Sequence, residues 1–169
     1  MRLTLLLALF LAAPAQAGTL LMKVPTLTGD SSTAGYDAAA GWFNIDSVAT
    51  GVERSVGRLG SGGGDREMSN PSFSELSVTR VQSVGSVGLW SQAISGRSLG
   101  TAEVVYLTDA GDVQWRVELG EAIVTTHIVE SGELALPVET VTFNFTSITT
   151  HPVGGGPSSC WDILRNRSC

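Results

Sequence analysis

The sequence predicts a mainly β protein, its antiparallel strands arranged as a barrel or a sandwich around one short α-helix. Three observations lead there. Short segments alternate apolar and polar residues, most cleanly where Val113, Trp115, Val117 and Leu119 oppose Gln114, Arg116 and Glu118. Turn residues such as Asp109-Ala110-Gly111-Asp112 punctuate them. One stretch, between Ser83 and Gly96, carries helical spacing instead.

The chain opens on an export signal. Arg2 supplies a positive start, Leu5 to Ala13 form an apolar run of nine residues, and Ala15-Gln16-Ala17 offers a cleavage site before Gly18. A membrane span needs about 20 residues, so the run fits a cleaved signal at 1–17. The mature chain is then expected outside the cytoplasm, secreted or periplasmic. Residues 18–152 form the domain, and 153–169 a Gly/Pro linker and tail.

Within the domain, Leu20 to Val24 make the first strand, and the small, polar stretch from Gly29 to Ala40 reads as turns. Trp42, Phe43, Ile45 and Val48 make a second strand. From Gly51 to Asn70 the Gly-, Ser- and Arg-rich sequence is too long for a tight hairpin and reads as a protruding loop. Phe73 to Val81 is extended, with Leu76 and Val78 on one face. In the helix, Val87, Trp90 and Ile94 share one face as its apolar stripe; Ser83 or Ser86 caps the start and Gly96 the end, while Gly85 and Gly88 weaken the first turn. Strands follow over Ala102–Leu107, Val113–Leu119 and Ala122–Val129, and over Val141-Phe143-Phe145 with Thr142, Asn144 and Thr146 on the other face.

Charge and composition exclude several classes. The formal net charge of −6 becomes −7 once Arg2 is removed, and Lys23 is the single lysine. Nucleic acid and anionic membranes both call for clustered cations, which are missing. Cys160 and Cys169 close the chain; in oxidising surroundings they are expected to pair and tie down the tail.

No catalytic centre is announced. His127 is expected on the exposed face of a strand, with Glu130 pointing the opposite way, and His151 ends a strand; neither has a second metal ligand near it. No Ser/His/Asp set announces itself in the sequence. Asp109 and Asp112 are turn residues, and Gly60 to Gly64 lacks the Gly-Lys-Ser/Thr ending of a phosphate cradle. Neither a cofactor nor a metal is expected. Trp115 belongs to a core face. Trp161 lies beyond the linker and gains burial only by docking on its own domain or on a neighbour.

Four segments together give a family resemblance. They are Trp42 to Val52 with the glycine cluster after it, Glu75-Leu76-Ser77-Val78-Thr79-Arg80 ahead of Leu89-Trp90, Val141-Thr142-Phe143-Asn144-Phe145, and Trp161-Asp162-Ile163-Leu164-Arg165-Asn166. In this order the chain resembles the haemolysin-coregulated proteins (Hcp), the tube proteins of type VI secretion. The last segment is similar to the family's G-W-D-x-x-x-N ending, with Cys160 in place of the glycine. The resemblance implies a two-sheet β-barrel with one flanking helix and no enzymatic activity. It implies self-assembly into a homo-hexameric ring, stacking of rings into a tube, and passage of effector cargo or contact with other secretion-apparatus proteins. Interface residues are then expected in the arm and tail: Arg54, Arg58, Gly60, Gly62, Gly63, Gly64, Arg66, Trp161 and Asp162. The departure is the signal, since a type VI tube assembles in the cytoplasm and leaves without one. A signal-bearing relative is expected to work in the periplasm or outside, or to use another route.

Two other readings compete: a monomeric β-barrel binding a small ligand or glycan in a closed pocket, and a small secreted hydrolase with His127 or His151 near a carboxylate and a serine. Replacing Trp161 is expected to weaken assembly while sparing the fold. An unchanged oligomer by light scattering would discard its docking role.

Overall fold

The computed structural model describes residues 18–57, 69–133 and 135–169. β1 (Thr19–Lys23) is followed by the short strands β2 (Ser32–Thr33) and β3 (Tyr36–Asp37), then β4 (Trp42–Asn44), β5 (Ser47–Ala49) and β6 (Val52–Glu53). Next come β7 (Ser72–Phe73), β8 (Leu76–Val81) and the helix α1 (Ser86–Ser95). β9 (Ala102–Leu107), β10 (Val113–Gly120), β11 (Ile123–Glu130), β12 (Val138–Asn144) and β13 (Ser147–His151) lead to β14 (Ser159–Asp162) and β15 (Arg167–Ser168).

A larger sheet runs β15-β14-β13-β10-β9-β1-β4, and a smaller one runs β11-β12-β8-β5. Alternation decides which side chains meet between them. Met22, Val104, Val117 and Leu119 from the large sheet pack with Leu76, Val78, Val141 and Phe143 from the small one in a single core. The Gly29 to Ala40 stretch does more than turn. Its β2–β3 ribbon brings Tyr36 edge-on to Trp42, ring centroids 4.8 Å apart, beside Leu21, Val105 and Leu107 on the outer face of the large sheet.

The closed barrel is not formed. Among the described residues the large sheet ends at β15 and β4, and the small one at β11 and β5. The chain instead changes sheets at corners. The segment expected as one strand from Trp42 to Val48 is divided there: Ile45 N–H donates to Leu20 O in one sheet at 3.1 Å, and Asp46 N–H to Thr79 O in the other at 2.8 Å. β10 follows the expected alternation only after a bulge. Val113 pairs with Leu107 and Trp115 with Tyr106, so Gln114 is the extra residue and Val113 turns outward.

The helix lies where the spacing places it, with its apolar stripe turned outward. Ser86 and Leu89 face inward, whereas Val87, Trp90 and Ile94 are 75%, 50% and 74% exposed. The reason is an ionic cluster beneath the first turn. Arg80 is 1% exposed and Glu139 is fully buried, with Arg80 Nη1 3.2 Å from Glu139 Oε1. Arg80 also pairs with Asp30 and donates to Ser83 Oγ. Ser86 Oγ donates to Glu139 Oε1 at 2.9 Å, and His127 Nε2 is hydrogen-bonded to Glu139 Oε2 at 3.0 Å. The His127 side chain is thus only 2% exposed, contrary to its expected place in solvent, because the cluster and the edge of Trp90 enclose it. A buried carboxylate demands donors, so the helix turns a serine towards it and leaves its apolar stripe outside. Glycine allows the close approach: a Cβ on Gly85 would lie 2.4 Å from Phe43 Cε1.

Removing one member of such a cluster leaves the others unpaired. Arg80→Met is expected to destabilise the fold by about 3–5 kcal/mol, read by urea denaturation. A loss of about 1 kcal/mol or less would show that the cluster is not what holds α1.

Candidate assembly surfaces

The residues singled out in the arm and tail divide into two sets. Arg58, Gly60, Gly62, Gly63, Gly64 and Arg66 lie outside the described residues. Arg54, Cys160, Trp161, Asp162 and Cys169 can be placed. Arg54 stands exposed just after β6, at the rim of an open groove of about 480 Å3. Its apolar wall is made by Val52, Phe73, Trp115, Ile148 and Trp161. Trp161 docks on its own domain: it sits opposite Ile148 in the β13–β14 pairing and packs on the main core. Trp115 is half-buried, part core and part groove wall.

Asp162 closes the turn after β14. Its Oδ1 accepts from the Arg165 backbone N–H at 2.9 Å, and its Oδ2 from the Arg165 guanidinium at 2.8 Å. These bonds, the backbone one foremost, hold its carboxyl below the usual carboxylate range. Cys160 and Cys169 are joined by a disulfide across β14 and the chain end, with Cα atoms 5.3 Å apart.

A second surface is the outward stripe of α1. Val84, 85% exposed, extends the row of Val87, Trp90 and Ile94, and no charged residue interrupts the helix. Helical spacing in the sequence identified Val87, Trp90 and Ile94 as one face, and the structure turns that face outward. A third surface is charged. On the outer face of the large sheet, Arg116 reaches Glu103 and Glu118, each at 2.8 Å, and His151 Nε2 lies 3.3 Å from Glu118 Oε1. Burial pushes the Glu103 carboxyl up, opposed by Arg116. The alternation of β10 placed Arg116 and Glu118 on this face; their partners needed the pairing register.

The cluster around His127 does not have the order of a hydrolytic triad. Glu139 stands between Ser86 and His127, whereas acyl transfer needs the imidazole between serine and carboxylate. Among the described residues no three His, Cys, Asp or Glu side chains are grouped to hold a metal ion, and no helix is long and apolar enough to cross a membrane.

The domain is of the antiparallel two-sheet class with one flanking helix. The family model described as type VI secretion system effector, Hcp, matches residues 21–151. The chain belongs to the Hcp family. Among solved structures it is similar to Hcp1 from Salmonella typhimurium, 18% identical with a TM-score of 0.76 over 90% of this chain and 99% of that one. A protein described as a type six secretion system protein is 22% identical, with a TM-score of 0.79 over 90% and 100% of the two chains. Secreted protein Hcp3 from Pseudomonas aeruginosa is 17% identical, with a TM-score of 0.56 over 86% and 98%. No protein of curated function matches the chain by sequence.

A carboxyl held low in the folded state contributes stability above its unfolded pKa and loses it as pH falls through the folded value. The Arg165 amide is therefore expected to shift in NMR spectra as pH drops below about 4, the unfolded aspartate value, with Asp162→Asn abolishing that shift. An unchanged titration in the variant would assign the turn to other contacts.

Proposed function

We propose that this protein is an exported, non-enzymatic structural subunit of the Hcp kind, assembling with copies of itself into a six-membered ring able to stack into a tube. The observation that carries the reading is the row of Val84, Val87, Trp90 and Ile94 on the outer side of α1 in a member of the Hcp family. Several apolar side chains in a row on a charge-free helix form a contact surface, unlike single apolar residues scattered over a protein. The arm from Arg54 to Asn70 and the tail around Trp161 and Asp162 are further contact elements in this reading, and secreted effectors or other secretion proteins are its partners.

Export fits the same picture. A cut before Gly18 leaves β1, which begins at Thr19, whole. The disulfide suits an oxidising destination in the periplasm or beyond. The ring then forms after the chain has crossed the inner membrane.

The decisive measurement is the mass in solution of the processed chain beginning at Gly18. Six copies are expected, with rings under the electron microscope. A single chain at high concentration would overturn the reading. Ile94→Glu and Val87→Glu are expected to lower the assembly constant at least about tenfold, since a charge enters an apolar contact. Their effect on the stability of the single chain is expected to stay within about 0.5 kcal/mol, as for other exposed positions.

A further inference from the structure

We propose that the Cys160–Cys169 disulfide is a redox gate on the C-terminal strand pair, holding β14 on the large sheet when oxidised and releasing it when reduced. The attachment of the tail is slight. β14 meets β13 at four positions, Ser147 with Asp162, Ile148 with Trp161, Thr149 with Cys160 and Thr150 with Ser159. Beyond β14 lies β15, paired at two positions, and among the described residues the sheet ends there. Upstream, the linker has Gly154 and Gly155 with φ of 74° and 82°, so it directs the tail without stiffening it. Trp161 and Ile163 are the apolar side chains anchoring the tail to the core, both half-buried, while Leu164 is exposed.

The disulfide acts on this weak attachment. It joins a residue of β14 to the last residue of the chain, nine positions on. Closing a ring of about ten residues removes enough chain freedom to favour the ordered hairpin on the order of a hundredfold. Cys160 is half-buried and Cys169 exposed, so the bridge is open to thiol exchange. What the gate controls is a surface. Ser159 and Trp161 contribute one wall of the groove that also holds Trp115, Phe73 and Ile148. Without β14 that wall is absent and β13 becomes the open edge of the large sheet.

Closing the gate needs a disulfide-bearing oxidant. The Cys169 thiolate attacks one sulfur of that disulfide, and its partner sulfur leaves as a thiolate. The Cys160 thiolate then attacks Cys169 Sγ, and the second donor sulfur leaves. Two cysteine thiols are oxidised, one external disulfide is reduced to two thiols, and the two protons pass from the cysteines to those thiols. A dithiol reductant runs the sequence backwards.

The gate is a property of a single chain and goes beyond the ring reading. The test compares amide hydrogen exchange of the purified protein when oxidised and after reduction with dithiothreitol. Reduction is expected to lower protection of Trp161 and Ile163 by about a hundredfold and to shift Trp161 emission to the red, with β9 and β10 unchanged. The Cys160→Ser/Cys169→Ser variant is expected to match the reduced protein in both conditions. Equal protection of β14 in the two forms overturns the gate, and so does loss of protection throughout the reduced chain, which marks a general staple. Mass is measured alongside: a chain that stays single in both forms yet loses β14 on reduction keeps the gate and sinks the ring.

Discussion

The buried carboxylate of Glu139 is the constraint from which the rest of this structure follows. A carboxyl group with no access to water needs hydrogen-bonding partners, and here they come from separate parts of the chain. Arg80 and His127 arrive from the neighbouring strands β8 and β11, and Ser86 from the first turn of α1. Arg80 in turn draws in Asp30 from the loop after β1 and lies over the ring of Phe43, 5.0 Å from its centroid. One cluster therefore ties the small sheet, the helix and the edge of the large sheet together. The helix has no freedom to roll its apolar stripe inward, because doing so would withdraw Ser86 from the carboxylate. The outward ridge is thus a consequence of polar satisfaction in the interior, reached at the cost of leaving Val87 and Ile94 in water.

The sheets divide the remaining work. Their facing sides make the core, while the outer side of the large sheet carries both an apolar patch under Tyr36 and the ion pairs of Arg116. These pairs are partly exposed, and exposed pairs contribute little to stability. Their significance lies in keeping that face hydrated and charged. The groove is of another kind, being apolar, open, and shared between the body of the domain and its tail. A ridge on α1 and a groove beside β14 are unlike surfaces on different elements. Contacts between copies that join unlike surfaces run head to tail, the arrangement from which rings and filaments are built.

How much of this was readable beforehand depends on what each residue is doing. Strands whose buried face is apolar were plain: Leu76 with Val78, Val117 with Leu119, and Val141 with Phe143 all lie where alternation puts them. The pattern misleads where a buried position is polar. Arg80 continues the inward row of Leu76 and Val78, and His127 and Glu139 face the same interior, yet residue type alone assigns all three to water. Which way the helix faces was not legible for the same reason, since its inner face is chosen by a hydroxyl and a glycine rather than by its largest apolar side chains. The bulge at Gln114 and the split between β4 and β5 depend on pairing register, which no local pattern carries. Trp161 was the reverse case: its position past a glycine linker gave two docking options, and pairing with Ile148 selects its own domain.

Membership of the Hcp family and the apolar N-terminal segment pull in different directions, and the tail is where they meet. A fold that assembles where it is made has no use for a covalent staple. A chain threaded through a membrane before folding can be trapped in the new compartment by a bond that forms only there. Here the bond sits on a four-residue strand near one end of the larger sheet, away from the ionic cluster. Placed there, it leaves folding of the body to burial and charge pairing and bears only on the edge and the groove beside β14. The two stabilising devices are physically separate, one an internal ionic cluster and the other a peripheral disulfide near the end of the larger sheet.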